Sequence, residues 1–86
     1  MNIISGGRGI GKTKQLLEQA KAVGGTIVCR DPEAMRERAH RCGITGVNII
    51  AYEDIYFANK PVYIHDIAKF IEDTIPNVAG CTITTE

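Results

Sequence analysis

Residues Gly6-Gly7-Arg8-Gly9-Ile10-Gly11-Lys12-Thr13 follow the spacing G-x-x-x-x-G-K-[ST], with Gly6, Gly11, Lys12 and Thr13 in the fixed places. The chemistry this spacing serves is the holding of a phosphate chain. Glycines allow positive φ and a close approach of backbone to ligand. Successive N–H groups then line a concavity suited to an anion, and a helix starting at the end of the loop adds its unpaired N–H groups and dipole. Lys12 is long enough to reach outer phosphates, and the Thr13 hydroxyl can ligate a magnesium ion bridging them. The competing reading is a glycine-rich turn that happens to precede a helix.

Val62-Tyr63-Ile64-His65-Asp66 is the second stretch with chemical content. A run of strand formers ends in an acid, and in a parallel sheet the carboxyl ends of strands face the ligand crevice. Asp66 there can reach the magnesium ion opposite Thr13. It can equally be a plain helix cap, because Ile67, Phe70, Ile71 and Ile75 follow at helical spacing. His65, beside it, is either a group that supports the site or an ordinary core or rim histidine.

The elements that position these residues can be placed along the chain. Ile3-Ile4 predicts a short strand over residues 2–5. Leu16, Leu17, Ala20 and Val23 give the apolar side of a helix over residues 12–23, closed by Gly24-Gly25. Thr26-Ile27-Val28-Cys29 is β-branched or apolar throughout, as expected of a strand covered on both faces. Asp31-Pro32-Glu33 is a helix start, and Met35, Ala39 and Cys42 form the expected buried stripe of a helix over residues 32–42, ended by Gly43. A third strand is expected over residues 47–51, a short helical segment over 52–59 broken by Lys60-Pro61, then the strand entering Asp66 and its helix, ended by Pro76. Cys81-Thr82-Ile83-Thr84 closes the pattern as a fifth strand. This alternation predicts an α/β fold of three layers, α/β/α, around a mainly parallel sheet of about five strands.

Composition narrows the function classes. Eighty-six residues make one small domain, which buries only about 60–65% of its unfolded surface. Ten basic residues balance ten acidic ones, so a strongly electrostatic nucleic-acid binder is disfavoured. The outer face of the second helix carries Arg36, Arg38 and Arg41 beside His40; it is either a solvated face interrupted by Glu33 and Glu37 or a contact for a partner. No apolar run approaches the ~18 residues of a membrane span, and the strand at the N-terminus leaves no room for a signal peptide. Cys29, Cys42 and Cys81 are odd in number and far apart, which suits reduced core thiols of a cytoplasmic protein better than a zinc site.

With these residues in place, the chain resembles the P-loop NTPases. Gly6, Gly11, Lys12 and Thr13 complete the Walker A signature, and Asp66 falls at the Walker B position. The layout is most similar to a minimal helicase-, terminase- or RecA-like ATPase core, and to small phage-encoded P-loop proteins. The resemblance implies binding of ATP or another nucleoside triphosphate with Mg2+. Gly6, Gly7, Arg8, Gly9, Ile10, Gly11, Lys12, Thr13 and Lys14 would surround the nucleotide, Thr13 and Asp66 the metal, with Lys12 and Asp66 catalytic. Thr84 or Thr85, at the end of the last strand, would sense the γ-phosphate, unless they are only strand formers. No second domain, lid or arginine finger is apparent, so hydrolysis would be weak or stimulated by a protein partner or a second copy completing the site. The other function compatible with these features is a P-loop-fold module or regulator that docks on a larger protein or nucleic-acid machine with little catalysis; a small kinase has no room for its lid.

Overall fold

Every residue of the strand Thr26–Cys29 (β1) is buried. A computed structural model describes residues 1–6 and 11–84 of the chain. It sets β1 in the middle of a three-stranded sheet, between Asn48–Ala51 (β2) and Val62–Ile64 (β3), in the order β2-β1-β3. Both pairings are parallel; Ile27 lies opposite Ile49 and Tyr63, and Val28 opposite Ile50 and Ile64. The helices are Lys12–Val23 (α1), Pro32–Arg41 (α2) and Ile67–Thr74 (α3), with a 3₁₀ segment at Tyr52–Phe57. The chain is thus a small α/β fold. Residues 2–5 and 81–84 carry no strand hydrogen bonding.

Side-chain alternation along the strands sorts the layers. Ile27 and Cys29 of β1 and Ile49 of β2 share a core with Leu17 and Ala20 of α1 and Met35 and Ala39 of α2, and Tyr63 of β3 packs against it. Both helices therefore cover one face, α1 over β1 and β3, α2 over β1 and β2. The 3₁₀ segment packs against β1 and β2 and buries Tyr52.

Local chemistry explains the helix ends. Asp31 caps α2, its Oδ1 accepting the Ala34 N–H at 3.1 Å, with Pro32 in the first turn. Gly24 takes φ 68° after α1, and the Gly25 N–H returns to the Ala20 carbonyl at 2.9 Å. At the other end of α2 the expectation of a buried Cys42 is corrected. The helix stops at Arg41, Cys42 is its exposed C-cap, and Ile44 fills the core in its place. Cys81 is likewise exposed, and only Cys29 is a core thiol. Its pKa is raised, chiefly by burial.

α3 is strongly amphipathic, yet none of its residues is buried. Two contacts tie it down. Phe70 meets Tyr52 edge-on, with ring centroids 5.2 Å apart. Arg30, just past β1, grips Asp73 with two hydrogen bonds of 2.8 Å, and that guanidinium holds the Asp73 carboxyl below its ordinary pKa. Because both groups are exposed, the fork orients the helix more than it stabilises the fold.

One glycine is required by space rather than by φ. A Cβ on Gly25 would lie 2.6 Å from the Pro61 carbonyl oxygen and 2.9 Å from the Tyr63 ring. The Gly25→Ala variant should therefore lose about 1–3 kcal/mol of stability by overpacking the entry to β3. Urea unfolding measures this, and an unchanged midpoint would show that the β1–β3 approach is not tight.

Candidate functional site

Two elements converge at one end of the sheet: the N-terminus of α1 and the segment leaving β3. Gly11 precedes α1 with φ 74° and ψ 26°, a left-handed conformation that a side chain would disfavour. Its carbonyl accepts the first helical bond, from the Gln15 N–H at 3.0 Å. Lys12 is the first helical residue, and its Nζ donates to the Gly6 carbonyl at 2.6 Å, so the lysine folds back over the start of the glycine-rich loop. Gly7, Arg8, Gly9 and Ile10 lie outside the described residues, as does Thr85. Lys14 is exposed on the first turn.

Thr13, one residue further along α1, meets His65. Its Oγ1 lies 3.3 Å from His65 Nε2 across 52 positions of sequence. Strand geometry brings this about. The His65 N–H continues the ladder by donating to the Val28 carbonyl at 2.9 Å. Since side chains alternate, His65 falls on the same face as Tyr63, the face that α1 covers. Half-buried there, the imidazole has its pKa lowered, first by desolvation and then by Arg38, with Lys69 and Lys12 adding to the effect and Asp66 opposing it.

Asp66 takes a different course. Its backbone is left-handed, with φ 62° and ψ 78°, a conformation aspartate tolerates better than most residues. Its Oδ1 accepts the Lys69 N–H at 3.4 Å, capping α3, and Oδ2 lies 3.9 Å from Lys69 Nζ. The carboxylate is thus engaged at the helix start, and among the described residues the group that meets the Thr13 hydroxyl is the His65 imidazole.

Sequence reasoning missed Tyr52, which holds this turn in place. Its hydroxyl donates to the His65 carbonyl at 2.5 Å and lies 3.2 Å from the Asp66 carbonyl. Burial, followed by the nearby Asp66 charge, pushes its pKa up to about 12, so it remains a donor at all ordinary pH. A tyrosine after an apolar strand reads as packing; its partners lie 13 and 14 residues away, and no local pattern announces them.

Of the other described candidates, Arg38 acts on His65 through its charge. Thr84 is exposed in a segment without regular structure. On α2, Arg36 donates to the Ile49 carbonyl at 3.2 Å, which makes it partly a helix-to-strand tie, while Arg38 and Arg41 are exposed. A cleft of about 100 Å³ between Arg30, Ala51, Tyr52, Glu53, Asp73 and Thr74 includes none of the expected site residues. Among the described residues, no group of three or more His, Cys, Asp or Glu side chains is arranged to hold a metal, and no helix is long and apolar enough to cross a membrane. Comparison with family models, curated proteins and solved structures finds no match.

Two outcomes follow from this geometry. His65 should titrate below the ordinary histidine value of 6.5. The unfolded chain then binds the extra proton first, so stability should be full above that value and fall as pH drops towards the folded pKa. NMR of the imidazole during acid titration checks this, and a midpoint at or above 6.5 would contradict the half-buried placement. Tyr52→Phe should cost about 1 kcal/mol in urea unfolding, because two carbonyls lose their shared donor; no loss would mean that the turn holds without it.

Proposed function

We propose that this chain binds a nucleoside triphosphate, ATP foremost, together with Mg2+ or a similar divalent ion, and that hydrolysis by the chain alone is slow. The observation that carries the reading is the meeting of Thr13 with the segment leaving β3, two stretches singled out independently in the sequence. Support also comes from the left-handed Gly11 and from Lys12 at the first position of α1. In this reading the backbone N–H groups of residues 7–13 cradle the β-phosphate. The Lys12 ammonium exchanges the Gly6 carbonyl for phosphate oxygens, and the Thr13 hydroxyl faces the metal. The ion would neutralise charge on the phosphates. Slow turnover fits an aspartate engaged in capping and the absence of an arginine finger with an evident position in the sequence; a supplied arginine is worth about 10³–10⁵ in rate where one is used.

The same reading extends the sheet to the RecA-like arrangement of about five strands in three layers. α1 and α2 lie on one face, and the chain passes from β1 through α2 to β2. Crossovers between parallel strands are right-handed. With both helices on one face, a right-handed connection would put a strand preceding α1 on the opposite side of β1 from β2, beyond β3. The outer edge of β3 carries no strand among the described residues; in this reading residues 2–5 would pair there and residues 81–84 beyond them. Thr84 would then reach the carboxyl end of the sheet as a γ-phosphate sensor, with Thr85 next to it.

A second reading, a docking module with little catalysis, is favoured by Tyr56 and Phe57. These adjacent aromatic residues are 94% and 84% exposed and would suit a protein partner or a second copy of the chain. Calorimetry with ATP, with and without Mg2+, tests the first reading. Lys12→Ala should weaken binding by about 10–100-fold, the worth of hydrogen bonds to a charged group. Equal binding by the variant, or none by the parent protein, would overturn it. Loss of biological activity on charge reversal at Arg38 and Arg41 or on replacing the exposed Tyr56 and Phe57 by serine, with Lys12→Ala harmless and the variants folded by circular dichroism, would favour the second; Arg36, which ties α2 to the Ile49 carbonyl, is left unaltered.

A further inference from the structure

We propose that the divalent ion accompanying the nucleotide is held by Thr13 Oγ1 and His65 Nε2 together, so that the site takes Co2+ in preference to Mg2+, with Mn2+ between them. The inference rests on the reading of this site as a nucleotide site.

The separation of the two donors is the first reason. Ligands bound about 2.1 Å from one ion at right angles lie about 3 Å apart, and Thr13 Oγ1 and His65 Nε2 are 3.3 Å apart. The two can thus occupy neighbouring positions on a single ion after a shift of a few tenths of an ångström. Their existing contact also aims the Nε2 edge of the ring, where the ion would sit, at the hydroxyl.

The second reason is rigidity. The backbone of His65 is fixed on both sides, its N–H on the Val28 carbonyl at 2.9 Å and its carbonyl under the Tyr52 hydroxyl at 2.5 Å. Thr13 stands on the first turn of a twelve-residue helix. Neither element must reorganise to present its donor, the condition under which a small ligand set selects an ion.

The third reason is the chemistry of the pair. Mg2+ is a hard ion that favours carboxylate, phosphate and water oxygens. Imidazole suits the later first-row ions, whose affinities for a nitrogen-containing site rise from Mn2+ to Co2+. The carboxylate that would favour Mg2+, on Asp66, is turned to the start of α3, 3.4 Å from the Lys69 N–H and 3.9 Å from Lys69 Nζ. A site completed by an imidazole and phosphate oxygens therefore tilts away from Mg2+.

The test compares ATP binding with Mg2+, Mn2+ and Co2+ by calorimetry, and examines the Mn2+–ATP complex by pulsed electron paramagnetic resonance. ATP should bind more tightly with Co2+ than with Mg2+, with Mn2+ between the two, and the resonance spectrum should show coupling of Mn2+ to an imidazole nitrogen. His65→Ala should abolish both the coupling and the preference. His65→Asp should turn the preference towards Mg2+, with circular dichroism confirming that each variant is folded. Tight binding of ATP with all three ions alike, or an Mn2+ complex of the unaltered protein without nitrogen coupling, overturns the proposal and leaves the nucleotide reading intact. Ion dependence lost in Asp66→Asn and kept in His65→Ala returns the ligand role to Asp66. Failure of ATP to bind with any ion overturns both readings.

Discussion

The complete burial of β1 is the constraint from which the rest of the molecule follows. A strand with Thr26, Ile27, Val28 and Cys29 all removed from water needs neighbours on both edges to pair its backbone groups and cover on both faces for its largely apolar side chains. β2 and β3 supply the edges, α1 and α2 one face, and the 3₁₀ segment supports the other. In a chain this short there is little apolar surface to spare, so one saturated strand organises most of the core.

The site is a consequence of that packing. β3 is drawn against β1 by the shared ladder, which runs one bond past its last strand residue to the His65 N–H. α1 must cover the Ile27 and Tyr63 side of the same pair. The start of α1 and the end of β3 therefore come to the same edge, whatever ligand they serve. Tyr52 then fixes the turn out of β3, joining the core beneath to the histidine and aspartate above. A buried hydroxyl that satisfies carbonyls at a turn with a left-handed residue keeps that turn in one conformation.

The periphery is less constrained. α3 rests on an edge-on aromatic contact and an exposed arginine fork rather than on a buried stripe. Its position nonetheless has a consequence at the site, because its cap uses the Asp66 carboxylate. The Asp66 carboxylate thus turns to the start of α3 while the preceding His65 imidazole meets Thr13.

Much of this was legible from residue order alone. The bounds of α1, β1 and α2 follow from signals that act within a few residues: glycine caps, the Asp31-Pro32 start, a β-branched run. Such signals are written locally because the hydrogen bonds they make are local. The glycine-lysine-threonine spacing likewise announced where chemistry could sit. Period-two alternation puts His65 on the side of Tyr63, but the sequence does not say which side α1 covers. That choice, the clasp from Tyr52 and the exposed Cys42 were decided only in three dimensions. Each depends on contacts between segments ten to fifty residues apart, whose geometry is set by the packing of the whole sheet and by no property of the residues taken singly.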